Sequence, residues 1–130
     1  HYATTNMVES LFCARQELDE DIIVSYADIM VEQKIVKGLM QNTSDIAVTV
    51  DMDWKKYWKI RYGTIHNDTE SLKLNDDDTI AELGNDTVNI EDIDARYVGL
   101  LKFSKAALPR CIEFYNEHKR LYSAKPWKGG

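Results

Sequence analysis

An α/β fold, with a mostly parallel sheet, helices on both faces and a β-hairpin insertion, is predicted by three features of the chain. Two short apolar runs, over residues 21–26 and 46–50, are separated by a stretch with helical periodicity. A third apolar run covers 97–103, and it precedes a final stretch of helical periodicity. Between 71 and 83 the pattern changes to alternation around an acidic turn. Continuous apolar runs read as strands buried on both faces, and alternating strands and helices point to a parallel sheet.

The elements follow in order. Asn6-Met7-Val8-Glu9 has the form of a capping box, and Val8, Leu11, Phe12 and Leu18 then share one face, predicting a helix over 7–18. Asp21-Ile22-Ile23-Val24-Ser25-Tyr26 predicts the first buried strand, which ends just before Ala27-Asp28. Ile35, Val36, Leu39 and Met40 make the second helix, closed by Gln41-Asn42-Thr43-Ser44, and the next strand runs from Ile46 to Val50. Asp53 is placed to cap a short aromatic helix over 54–61, with Gly63 as its stop. Leu72, Leu74, Ile80 and Leu83 flank Asn75-Asp76-Asp77-Asp78 as a hairpin, whose acids lack the glycine and distal glutamate of a calcium-binding EF-hand loop. Leu108, Cys111, Ile112, Tyr115 and Tyr122 form the stripe of the last helix, with Pro109 tolerated in its first turn.

At 130 residues, with 44% hydrophobic and 29% charged residues, the chain has the composition of one soluble globular domain. No apolar stretch is long enough to span a bilayer, and the polar start is not a signal peptide, so a cytoplasmic protein without a membrane partner is expected. A net charge of −6 disfavours nucleic acid as a partner. Lys55, Lys56 and Lys59 cluster, but beside Trp54, Tyr57 and Trp58 they read as a half-buried surface helix. Cys13 and Cys111 fall at apolar helical positions, which predicts core thiols in a reducing compartment. His1, His66 and His118 are scattered and form no zinc-ligand spacing. Sequons at Asn42, Asn67 and Asn85 carry little weight in a chain rich in Asn and Thr.

Asp28 is the leading candidate for chemistry. In open α/β sheets the ligand crevice lies beyond the carboxyl ends of the strands, where an acid can hold a cation against a phosphate. The other reading of Asp28 is a helix cap or a solvated loop acid. Tyr2-Ala3-Thr4-Thr5-Asn6 with Ser10-Leu11, Asp21-Ile22-Ile23-Val24 with Asp28-Ile29, Asp45-Ile46-Ala47-Val48 with Asp51, and residues 96–104 occur in a fixed order. This string resembles the middle of the sugar-phosphate and phosphocholine-type nucleotidyltransferases, above all the cytidylyltransferase branch that includes domains attached to phosphonate biosynthesis enzymes. The resemblance implies a nucleotide-diphospho-sugar transferase-like fold, with residues 1–130 as the central part of a single domain truncated at both ends. The family's glycine-rich nucleotide loop would precede this segment and its second metal-binding aspartate would follow it, so the chain by itself is expected to be inactive.

The resemblance further implies transfer of a nucleotidyl group from a nucleoside triphosphate, with CTP expected, to a small phosphorylated or phosphonylated acceptor such as phosphocholine, releasing pyrophosphate. Mg²⁺ is the implied cofactor, and Asp28 matches the family's metal aspartate. Asn6 and Ser10 match positions under the base and ribose, with a helix cap and a surface serine as their structural reading. Tyr97 and Gly99 match the strand whose end lines the acceptor, with a core tyrosine and a bulge glycine as theirs. Two departures stand out: Ala27 replaces the glycine before the metal aspartate, and Asn85-Asp86 replaces a lysine that would meet a substrate phosphate. These support an alternative, a module that keeps the fold without catalysis. A third reading takes Asp51-Met52-Asp53 as the Asp-x-Asp of a nucleotide-sugar glycosyltransferase, two carboxylates reaching one cation.

Overall fold

The computed structural model describes residues 6–66, 69–85 and 89–123. Among the described residues, five strands and four helices follow in the order α1 (Met7–Cys13), β1 (Ile22–Ser25), α2 (Gln33–Gln41), β2 (Ile46–Asp51), α3 (Trp54–Tyr62), β3 (Leu72–Leu74), β4 (Ile80–Leu83), β5 (Arg96–Phe103) and α4 (Leu108–Ser123). Short 3₁₀ turns sit at Arg15–Glu17 and Ile90–Asp92. The described residues fall into two compact units, one within His1–Ser25, Met30–Ala47 and Leu101–Gly130, the other within Tyr26–Ile29 and Val48–Leu100. Strands β2 and β5 contribute residues to both.

The sheet corrects the expectation of a mostly parallel, doubly covered architecture. Its order is β1-β5-β2, with β5 in the middle. The Tyr26 N–H donates to the Gly99 carbonyl at 2.8 Å, while Asp21, at the other end of β1, accepts from the Lys105 N–H at 2.8 Å. Numbers rising along β1 meet numbers falling along β5, so the pair is antiparallel. At the other edge the Ser104 N–H, after the end of β5, donates to the carbonyl of Asp45, before the start of β2, again the antiparallel sense. The strand, helix, strand unit of β1, α2 and β2 is present, but a strand from much later in the chain occupies the place between its two strands.

Burial follows from this order. β5 carries the core, with Leu100 buried and Arg96 and Lys102 buried beside it. β1 alternates between half-buried and exposed, and Ile23 is exposed, so the run is not buried on both faces. The Lys102 ammonium is satisfied by the Asn42 carbonyl at 2.7 Å and by Asp21 at 3.2 Å, which accounts for a buried cation on this strand.

Local chemistry sets the remaining elements. Asn6 caps α1 by accepting from the Glu9 N–H at 3.0 Å, but the Glu9 carboxylate does not complete the box. It accepts from the Tyr115 hydroxyl at 2.5 Å and lies 3.3 Å from Lys119, tying α1 to α4, where Phe12 stacks on Tyr115 at 4.2 Å between ring centroids. α1 is shorter than expected and ends at Cys13, which is exposed, while Cys111 is partly covered and its thiol is pushed up by burial. On α3, Trp54 is fully buried and Gly63 closes the helix at φ +71°, its N–H reaching the Lys59 carbonyl. Tyr57 and Ile60 of α3 are exposed.

β3 and β4 form the hairpin as a separate two-stranded sheet, with Leu72 opposite Leu83 and an irregularity after Lys73. Its acidic turn is built by Asp77, which accepts from the Thr79 N–H and hydroxyl, and by Asp78 in the left-handed region at φ +62°. His1, the Tyr2–Thr5 part of the family-like string, the sequon at Asn67, Asp86 and the 127–130 end lie outside the described residues.

Candidate functional site

Asp28 stands where the sequence places it, in an exposed turn with Ala27 immediately beyond β1. The turn is anchored through its predecessor. Tyr26 is held by main chain to β5, its N–H on the Gly99 carbonyl, and by side chain to the same strand. Gly99 is in the left-handed region at φ +80°, and a Cβ placed on it would lie 2.5 Å from Cδ2 and 2.6 Å from Cγ of Tyr26. The ring of Tyr26 therefore covers the face of β5 that the missing side chain leaves open. Glycine is needed here twice over, for the backbone angle and for the ring.

The same ring meets Tyr97 edge-on, with centroids 5.7 Å apart at 83°. Burial is the main cause that pushes both hydroxyls above the ordinary phenol range, Tyr97 far above it, and the Glu70 carboxylate adds to both shifts. Asp28 contributes a further negative charge at Tyr26. Both phenols stay protonated through neutral pH, so they serve as hydrogen-bonding groups and not as phenolate bases. Tyr26, Tyr97 and Gly99 thus pack together, with Asp28 two residues on from Tyr26 and the Glu70 charge acting on both phenols, all within a single compact unit.

Asn6 and Ser10 belong to the other unit. The Asn6 side chain is engaged as the cap of α1, and the Ser10 hydroxyl donates to the Asn6 carbonyl at 3.3 Å. The Asp51 carboxylate accepts from the Asp53 N–H at 2.9 Å, and Asp53 sits at the cap position of α3 without a side-chain capping bond. That turn explains Asp51-Met52-Asp53 as a helix entrance. A cleft of about 390 Å³ lined by Ile65, His66, Thr69, Asn89, Ile90 and Glu91 contains none of the residues the sequence singles out.

Among the described residues no group of three or more His, Cys, Asp or Glu side chains is gathered to hold a metal ion. Mg²⁺ does not need one, because it is commonly bound by one or two carboxylates with substrate phosphates and water completing its octahedron. An exposed hard oxygen donor at a strand end fits that use, and Asp28 supplies it. Tyr26 and Glu70 are the residues of this unit that sequence reasoning missed. Tyr26 was visible as the last residue of the first apolar run, but its contact with a glycine on β5 comes only from the tertiary fold.

No protein-family model matches the chain, and no solved structure matches it. The chain is similar to the CTP:phosphoglutamine cytidylyltransferase of Campylobacter jejuni, with 38% identity over 120 residues. The match takes in 88% of this chain and 47% of that protein, so the chain spans about half the length of the curated relative. Along most of its length, this chain is similar to part of a cytidylyltransferase.

Proposed function

We propose that the protein carrying this chain transfers the cytidylyl group of CTP to a small phosphorylated acceptor. The observation that carries this reading is the 38% identity over 120 residues to an enzyme named for CTP and phosphoglutamine. In the reaction a phosphate oxygen of the acceptor attacks the α-phosphorus of CTP and forms a new P–O bond. The bond from that phosphorus to the bridging oxygen breaks, and pyrophosphate leaves with the electron pair. Little covalent help is required, so the protein's contribution is orientation and neutralisation of charge.

Asp28 is the residue we assign to Mg²⁺, which when bound neutralises phosphate charge and holds the triphosphate in one geometry. Asp28 presents its carboxylate from a turn pinned to β5 through Tyr26. Tyr97 is assigned to the acceptor side, where its protonated hydroxyl acts as a hydrogen-bonding group, and Gly99 supports it by admitting the Tyr26 ring. Asn6 and Ser10 are assigned to the nucleotide side on the family resemblance, in addition to their part in the start of α1.

The test is a substrate panel on the full-length protein with Mg²⁺, following pyrophosphate. CTP with phosphoglutamine is expected to turn over, with phosphocholine and aminoalkylphosphonates as the comparison acceptors. Turnover with a different nucleoside triphosphate and none with CTP would overturn the assignment of the donor. Pyrophosphate release that does not depend on any phosphorylated or phosphonylated acceptor would overturn the assignment of the acceptor class.

A further inference from the structure

Resting on the reading of Asp28 given above, we propose that Gly99 and Tyr26 are positioning residues for the Asp28 carboxylate, a ring-on-glycine lock that fixes the turn after β1. The lock has three parts. The main-chain bond from the Tyr26 N–H to the Gly99 carbonyl, 2.8 Å long, fastens the last backbone group before the turn. The ring lies on the Gly99 Cα so closely that a Cβ would come within 2.5 Å of Cδ2 and 2.6 Å of Cγ. Tyr97, two residues earlier on β5, meets the ring edge-on and keeps it from tilting away.

The atoms in that contact decide the consequence. Cγ is the root of the ring, so rotation about the outer bond cannot move it clear, and a clash there must be relieved by the side chain's first torsion or by the backbone. Ala27 and Asp28 form the turn directly after Tyr26, so a displaced Tyr26 backbone carries the carboxylate with it. The remaining glycines described are different. A Cβ on Gly38, in α2, meets nothing within 4 Å. The same chemical change, glycine to alanine, therefore probes the lock at one position and open space at the other.

The experiment measures Mg²⁺ binding by titration calorimetry with a non-hydrolysable CTP analogue, beside the Mg²⁺ half-saturation of CTP-dependent pyrophosphate release in the full-length protein, with melting curves to confirm folding. Gly99→Ala is expected to raise the Mg²⁺ half-saturation by roughly tenfold or more, as a displacement on the order of 1 Å does in a preorganised site. Gly38→Ala is expected to leave it unchanged. Tyr26→Leu, which keeps Gly99 and loses the flat ring, is expected to raise it too, and it serves if Gly99→Ala does not fold. In an Asp28→Asn background, Gly99→Ala is expected to add nothing further to the Mg²⁺ requirement, because the group being positioned is gone.

A folded Gly99→Ala or Tyr26→Leu protein with wild-type Mg²⁺ half-saturation overturns the lock while leaving the proposed function standing. An independent further effect of Gly99→Ala on Mg²⁺ in the Asp28→Asn background also overturns it, since the glycine would then act on the metal by another route. Asp28→Asn with wild-type kinetics overturns the metal assignment itself, a distinct result that takes the lock down with it.

Discussion

Asp28 and Trp54 show how differently single residues matter in this chain. Asp28 is exposed and follows a strand end, so its loss should leave the fold intact. Asp28→Asn keeps the shape and removes the charge, and we expect pyrophosphate release to fall by several kcal/mol of transition-state stabilisation, on the order of a hundredfold or more. The measurement is the rate over a Mg²⁺ titration beside a thermal melt, and unchanged kinetics in a folded variant would return Asp28 to a loop acid. Trp54 is fully buried at the start of α3, with its ring near that of Trp58 and the Arg96 guanidinium 4.6 Å over the latter. Trp54→Ala removes a large buried side chain, and a loss of about 3–5 kcal/mol in urea unfolding is expected. A loss below about 1 kcal/mol would show that the cluster repacks around the gap.

Between elements, the junction of β1 with the end of β5 is held by polar contacts as well as by the strand ladder. Asp21 accepts from the Lys105 N–H and lies 3.2 Å from the Lys102 ammonium, and these contacts hold its carboxyl below the usual aspartate range. A carboxyl whose folded value is depressed contributes stability that is fully present above its unfolded value and is lost as pH falls through the folded one. We therefore expect Asp21→Asn to lower the urea midpoint at about pH 6 and to make little difference once pH is well below about 3.9. A midpoint difference that persists unchanged into acid would assign the effect to packing. The same junction shows what sequence reasoning could and could not reach. Periodicity located β1, α2 and β2, and the caps at Asn6 and Gly63 were legible because a helix end is decided by residues within a turn of it. The neighbour of β1 was not, because β5 enters from about seventy residues later and leaves no mark on the local pattern. Exposure of Cys13 was missed for a related reason: α1 stops at that residue, and a helical stripe predicts burial only while the helix continues.

At the level of the whole molecule, the features bearing on function come from different sources. Asp28 was singled out from a strand end and from the family resemblance, Tyr97 and Gly99 from the resemblance alone, and the structure places all three in one unit with Tyr26 and Glu70. The proposed nucleotide and acceptor class rest on similarity to a protein about twice the matched length. The expected parallel sheet was wrong, and with it goes the strand-end argument for Asp28 that was built on an open α/β sheet; the reading of Asp28 now rests on the family resemblance and on its exposed turn after β1. In the proposed reaction the α-phosphate of CTP moves to the acceptor. Label in that position follows it most directly. With α-³²P CTP and phosphoglutamine, the full-length protein is expected to yield a labelled cytidylyl–acceptor conjugate, while γ-³²P CTP yields labelled pyrophosphate. Transfer of γ-label to the acceptor, or α-label released only as free CMP in the presence of acceptor, would contradict the account.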